Sequence, residues 1–189
     1  MENALQFLHH ITPLSDRETD LFRQHLRYKK ADKGSFLVQS GAVQHDLYFI
    51  ESGIQMSYYE AKNDVLVMAF TYFPGITAVP DSFLMQQPSP CCLTCLTDSS
   101  LYALSYTTLQ DLFRQSHTIE RLFRKMNEYV LCGLLQRHVE LHTLTIEERF
   151  LAFARRSPHL LHAVPHKYIA SYLGMNPTNF SKLYNKIRF

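Results

Sequence analysis

No segment of this 189-residue chain comes near the roughly 20 consecutive apolar residues that a membrane-spanning helix needs. The opening MENALQFLHHITPLSDRE has neither a basic stretch nor a small-residue cleavage site, so no secretory leader is expected. Cysteine is scarce, with four in all (Cys91, Cys92, Cys95 and Cys132) and none among the first 90 residues. Without an export signal, these are expected to be reduced thiols in a cytoplasm. Gly-x-Ser-x-Gly, Walker and His-Glu-x-x-His motifs are missing. Between residues 28 and 106 the only histidine is His45. A metal-dependent jelly-roll enzyme gathers its ion with clustered histidines and a glutamate, so that reading lacks its ligands and no enzyme is expected.

Two absences concern charge. There is no arginine between Arg27 and Arg114, and no acid after Glu148. Beyond that glutamate stand seven cations: Arg149, Arg155, Arg156, Lys167, Lys182, Lys186 and Arg188. The other 12 Lys and Arg face all 17 acids, so residues 1–148 carry −5 within a chain of net +2. A basic segment on an acidic body is the electrostatic footprint of something that touches phosphates. The alternative, a solubilising tail, sits poorly with the core-type residues of the same segment. Hydrophobic residues at 46% and charged residues at 19% describe a globular chain.

Residues 15–27 read as a short helix, with Ser15 and Glu18 as a capping box and Leu21, Phe22 and Leu26 as its apolar stripe. From about 28 to 106 the pattern is strand-like. SFLVQSG, HDLYFIESGIQMSYYE, VLVMAFTYF, CCLTCLTD and SLYALSY are rich in β-branched and aromatic residues and separated by Gly or Asn-Asp turns. Gly34, Gly41, Gly53 and Gly75 sit between strands, where positive φ is often needed. Short strands with regular turns suggest a jelly roll or barrel. After about Tyr106 the pattern turns helical. Residues 118–143 hold no proline, and Phe123, Met126, Val130, Leu134, Arg137, Leu141 and Leu144 recur at spacings of 3 and 4, a coiled-coil-like seam with Gly133 beside it. Such a stripe needs its own barrel and a second copy of the helix to cover it. Thr145 and Glu148 form another capping box, opening a helix that runs to about Arg156 before Ser157-Pro158 stops it.

The strongest motif is HKYIASYLGMNPTNFSKLYNKI, residues 166–187. A helix-turn-helix needs a small residue where its helices cross and a glycine in the turn, and Ala170 and Gly174 meet both needs. Ile169, Leu173, Met175, Phe180 and Leu183 fill the miniature core, with Asn176 as N-cap and Pro177 at the first helical position. At 100° per residue, Phe180, Leu183, Tyr184 and Ile187 share one face, and Thr178, Ser181, Lys182 and Asn185 the opposite one. Asn and Lys read base edges, while Ser and Thr bond to bases or phosphates. The candidates for base or near-base contact are Thr178, Asn179, Ser181, Lys182 and Asn185, and those for phosphate are Lys167 and Lys186.

With these motifs in hand, the chain from about Leu14 to Ile187 resembles the Crp/Fnr superfamily of transcription regulators. KKADKGSFLVQSGAVQHDLYFIESG is similar to the opening strands of those sensors, and KYIASYLGMNPTNFSK resembles their helix-turn-helix. The resemblance implies a double-stranded β-helix sensor, a homodimer through the long helix, double-stranded DNA and RNA polymerase as partners, and transcriptional control by an effector the sequence does not name. The chain departs from the family pattern in two places. Where those sensors grip a cyclic phosphate with a Glu and an Arg-Ser/Thr pair, residues 73–97 (FPGITAVPDSFLMQQPSPCCLTCLT) have no Glu, and Pro90 occupies the Arg slot. A buried phosphate without a guanidinium would be largely unpaired, at a cost of several kcal/mol. The chain also stops two residues after Ile187, so the wing that usually follows the recognition helix is expected to be missing or vestigial.

The cysteines are weighed as core packing, thiol sensing or metal binding. On a strand Cys91 and Cys95 share a face with Leu93 while Cys92 points away, so the three do not converge on one ion. His138 and His142 stand at i,i+4, a spacing that can chelate, but no third ligand is in sight; no metal and no cofactor are expected. The expected architecture is α+β: a double-stranded β-helix sensor over 1–117, a dimerisation helix over 118–143, and a helix-turn-helix domain over 144–189. The function it points to is a dimeric, cytoplasmic DNA-binding regulator whose sensor does not bind cyclic nucleotide. The alternative is a cyclic-nucleotide-binding signalling protein with an atypical phosphate cassette.

Overall fold

A computed structural model describes residues 1–61 and 64–186. Lys62 and Asn63, where the Asn-Asp turn was expected, and Ile187, assigned to the apolar face of the last helix, lie outside the described residues. The chain forms two compact units, Met1–Tyr59 with Ala69–Tyr129, and Glu60–Met68 with Val130–Phe189.

In the first unit two helices precede the strands: α1 (Glu2–Ile11) and α2 (Asp16–His25). The spacing had not singled out α1, although Ala4, Leu5 and Leu8 form a buried stripe along it. The Ser15–Glu18 capping box opens α2 in both directions. Eight strands follow: β1 (Arg27–Ala31), β2 (Phe36–Val38), β3 (Asp46–Ser52), β4 (Ile54–Ala61), β5 (Asp64–Tyr72), β6 (Gly75–Thr77), β7 (Cys92–Cys95) and β8 (Ser99–Ser105), with the short helix α3 (Pro80–Met85) between β6 and β7. They make two four-stranded sheets, in the orders β1-β8-β3-β6 and β2-β7-β4-β5. The pairings of β1 with β8, β3 with β8 and β6, and β7 with β2 and β4 are antiparallel.

Alternation along β3 explains how one sheet serves two cores. Leu47 and Phe49 join a cluster with Leu5, Leu8, Phe22, Leu112, Leu122, Phe123 and Met126, contributed by helices. Their neighbours Tyr48 and Ile50 point the other way, against Ala31, Cys95, Leu101 and Ala103. With both faces covered, β3 reads as a nearly continuous apolar run. Gly53, between β3 and β4, has φ +95° and lies so close to Ser99 and the Asp98 carbonyl that a Cβ would collide with them. Gly75 differs from expectation: it opens β6 without a positive φ.

After β8 come α4 (Tyr106–Gln115) and the long α5 (His117–Thr143). The hydroxyl of Ser116 accepts the backbone N–H groups of Thr118 and Ile119 at the start of α5 and donates to the Glu18 carboxylate of the α2 capping box. Burial alone would raise the Glu18 pKa, but the hydrogen bonds from Ser116, Ser15 and Thr118 outweigh it and hold the carboxyl at about 2. In the second unit the last part of α5 is followed by α6 (Ile146–Arg156), α7 (Leu160–Ala163), α8 (His166–Tyr172) and α9 (Pro177–Lys186). Thr145 and Glu148 cap α6 reciprocally, as their spacing predicts.

Candidate nucleic-acid interface

The site is built from the last two helices. Ala170 is fully buried on α8, and Gly174, at φ +63°, reverses the chain between α8 and α9. The N–H of Gly174 bonds to the Ser171 carbonyl and that of Met175 to the Ala170 carbonyl, both at 3.0 Å, so the turn is closed by the backbone. A Cβ on Gly174 would press to 3.3 Å from a methyl of Leu141 on α5. Asn176 caps α9, its side-chain oxygen accepting the Asn179 N–H at 2.8 Å. Ile169, Leu173, Met175 and Phe180 are buried as the pattern required, and Leu183 is half-buried. Phe180 meets Phe150 of α6 edge to face at 5.4 Å. His166 packs its ring against Phe180 at 4.9 Å and Tyr184 at 4.4 Å. These contacts fix the rotation of α9 about its axis.

With that rotation, Thr178, Ser181, Lys182 and Asn185 are exposed on the outer face, and Asn179 is half-exposed. The Ser181 hydroxyl donates to the Pro177 carbonyl at 3.0 Å. Lys182 has no ion-pair partner among the described residues. Lys186 is also exposed but bridges to Glu147 of α6 at 3.2 Å. A pair this open to solvent is worth about 0–1 kcal/mol, so an arriving phosphate can displace the carboxylate. Lys167, at the first turn of α8, lies 4.9 Å from the centre of the Tyr168 ring and is exposed.

Not every cation of the basic segment is free for a ligand, which composition could not reveal. Arg149 donates to the Leu141 carbonyl at 2.8 Å and the Gly174 carbonyl at 3.4 Å. Arg156 bridges to Glu140 at 3.2 Å. Arg188 lies outside the described residues. The described cations of the segment that are exposed are Arg155, Arg156, Lys167, Lys182 and Lys186, of which Arg156 and Lys186 are held in ion pairs.

The second unit also holds the end of the β4–β5 hairpin. Arg137, read earlier as part of the seam of α5, donates to the carbonyls of Met68, Val67 and Tyr172 and stacks 3.8 Å from the centre of the Tyr172 ring. Burial pushes its pKa down. The Ser171 hydroxyl donates to the Val65 carbonyl at 2.6 Å and accepts the Val67 N–H at 3.0 Å. The 3–4 seam is therefore divided: Phe123 and Met126 belong to the core of the first unit and Arg137 is spent on the hairpin, whereas Val130 and Leu134 are exposed. The exposed apolar residues of α5 are Tyr129, Val130, Leu131, Leu134, Leu135 and Val139, at 41–66% exposure. Gly133 faces open space, but 200° round the helix from Leu131.

The segment matching the phosphate cassette is knitted to itself. Buried Gln44 accepts the Val79 N–H at 2.8 Å, and its own N–H donates to Ser82. Ser82 donates to the Gln87 carbonyl, Gln86 to the Gln44 and Phe83 carbonyls, and Ser89 to the Cys91 carbonyl. Pro90 is exposed, and the only ionic side chain in the segment is Asp81. Cys91, Cys92 and Cys95 are buried; burial raises the Cys91 and Cys95 thiols and disfavours a reactive thiolate. Cys91 packs with Val38, Val79 and Leu93, and Cys95 with Tyr48 and Ile50. Among the described residues of one chain, no three His, Cys, Asp or Glu are grouped to hold a metal, and no helix is long and apolar enough to cross a membrane.

No family model matches the sequence, and no curated protein does. Solved structures do resemble it. The c-di-GMP-responsive global regulator CLP of Xanthomonas campestris is 17% identical with a TM-score of 0.68, covering 91% of each chain. FixK2 from Bradyrhizobium japonicum is 14% identical with a TM-score of 0.76, over 85% of this chain and 83% of its own. A transcriptional regulator of the Crp/Fnr family from Eubacterium rectale is 11% identical with a TM-score of 0.74, over 96% of this chain and 87% of its own. The chain has the fold of the Crp/Fnr transcription regulators.

Proposed function

We propose that this chain is a dimeric, sequence-specific DNA-binding transcription regulator of the Crp/Fnr type whose sensor does not bind cyclic nucleotide. The observation that carries the reading is α9, held by Phe180 and the Gly174 turn so that Thr178, Ser181, Lys182 and Asn185 face outward with no carboxylate among them. In this reading α8 and α9 are a helix-turn-helix, α9 enters the major groove, Lys182 and Asn185 read base edges, and Lys167 and Lys186 hold phosphates. Residues 1–117 are a jelly-roll sensor, 118–143 the dimerisation helix and 144–189 the DNA-binding domain, working with RNA polymerase in the cytoplasm.

The dimer is supported by the exposed stripe on α5. Leu131 and Leu135, followed by His138 and His142, recur at intervals of 4, 3 and 4, the repeat that pairs a helix with a parallel copy of itself. Two α9 helices related by that axis address half-sites about 34 Å apart, so the operator is roughly palindromic. The alternative, a cyclic-nucleotide sensor, is disfavoured because the cassette segment offers no cation and the Ser82, Gln86 and Ser89 side chains donate to carbonyls of the segment itself.

Selection from a random duplex library at moderate salt, with parallel calorimetric titration of cAMP, cGMP and c-di-GMP, tests the reading. Enrichment of a two-fold symmetric sequence with no nucleotide binding is expected. No enrichment, or a low-micromolar nucleotide dissociation constant (about 8 kcal/mol), overturns the corresponding half.

A further inference from the structure

The exposed stripe of α5 does not remain apolar to its end. After Leu131 and Leu135, the next two positions of the repeat are His138 and His142, both exposed, with ring centres 4.3 Å apart. At 100° per residue the four positions lie within about 40° of one line, so both imidazoles fall on the stripe and not beside it. A histidine pair at i,i+4 on one helix face is a spacing that binds zinc. One chain supplies only two ligands, fewer than a tetrahedral ion takes. On a helix that pairs in parallel with its own copy, however, each seam position meets its counterpart. Two successive histidine layers, about 6 Å apart along the axis, then bring four imidazoles to one place.

A second observation points the same way. The Nδ1 of His142 lies 2.7 Å from the His138 carbonyl, and an N–H donated there leaves Nε2 as the lone-pair nitrogen. Histidines that bind metal are oriented in this manner, with the ring N–H held by a backbone carbonyl. The stripe also carries no cation or carboxylate between Leu131 and His142: Arg137 is turned into the hairpin and Glu140 is paired with Arg156. We infer that His138 and His142 of two chains form a shared site for a divalent late transition metal, with zinc the fitting ion for four neutral imidazoles. The site rests on the proposed dimer, and it makes dimerisation, and through it the spacing of the two α9 helices, responsive to metal supply.

Sedimentation equilibrium and calorimetry on the tag-free full chain, with and without zinc(II), separate the two ideas. The expected result is one zinc per two chains and, with zinc at a hundredfold excess over its dissociation constant, an apparent dimer dissociation constant lowered by about a hundredfold. His138→Ala and His142→Ala each abolish both effects, whereas His162→Ala, on α7, changes neither. Helical content measured by circular dichroism checks that the variants are folded; both positions are solvent-exposed and alanine favours helix. A dimer that binds no zinc at 100-micromolar scale, or binds it equally well in both variants, overturns the metal site and leaves the dimer standing. A chain that stays monomeric with and without zinc overturns the dimer, and the site with it.

Discussion

In its first half α5 turns Ile119, Leu122, Phe123 and Met126 into the core of the first unit, where each is almost wholly buried; in its second half Leu131, Leu134, Leu135 and Val139 stand in solvent. Both halves carry large apolar residues at spacings of 3 and 4. What separates them is which face is already covered: the β3 side chains and α2 meet the first half, and Arg137 and Leu141 occupy the inner face of the second. Periodicity shows that a helix has an apolar face but not whether its partner lies within the chain or outside it.

This contrast predicts that substitutions in the two halves fail differently. Phe123→Ala removes a ring that stacks on Phe22 and meets Phe113 edge to face, and should cost about 3–5 kcal/mol in denaturant melts. It should leave association unchanged among molecules that remain folded. Leu135→Glu should do the reverse, with an unchanged melting profile of the isolated chain at low concentration. Its dimer dissociation constant should rise by about a hundredfold, near 2.7 kcal/mol, as measured by sedimentation. Equal loss of stability from both would erase the distinction.

The smallest effect concerns the N-terminal anchor of α5. The Glu18 carboxyl sits at about 2 in the folded chain against an ordinary value near 4.3 in an unfolded one. A depressed acid contributes stability above the unfolded pKa and loses it as pH falls towards the folded value. Melting temperature should therefore drop between about pH 4 and pH 2, and part of that slope should vanish in Glu18→Gln. An unchanged slope in the variant would assign the acid sensitivity to other carboxylates.

Much of this was legible in the residues. Ser15 with Glu18, and Thr145 with Glu148, marked two helix starts because a capping box is a local device needing no tertiary context. Ala170, Gly174 and Asn176 were readable for the same reason. What escaped was set by distant partners. Helix α1 had a legible stripe that was not used, while β1 and β6 are too short to show alternation. Arg137 passed for a seam residue because only the folded hairpin reveals the carbonyls it serves. Lys186 looked like a free cation until Glu147, 39 residues away, was brought to it.

If the outer face of α9 reads sequence, Lys182, at its centre and with no ion-pair partner among the described residues, should carry part of that reading. The most direct measurement is the affinity of the wild-type chain and Lys182→Ala for the selected duplex and for a scrambled one, at the same salt. The wild type should prefer its selected duplex by about a thousandfold or more, and Lys182→Ala should lose about 1–3 kcal/mol on that duplex and much less on the scrambled one. Equal binding of both duplexes by the wild type, or equal weakening on both by the variant, would contradict it.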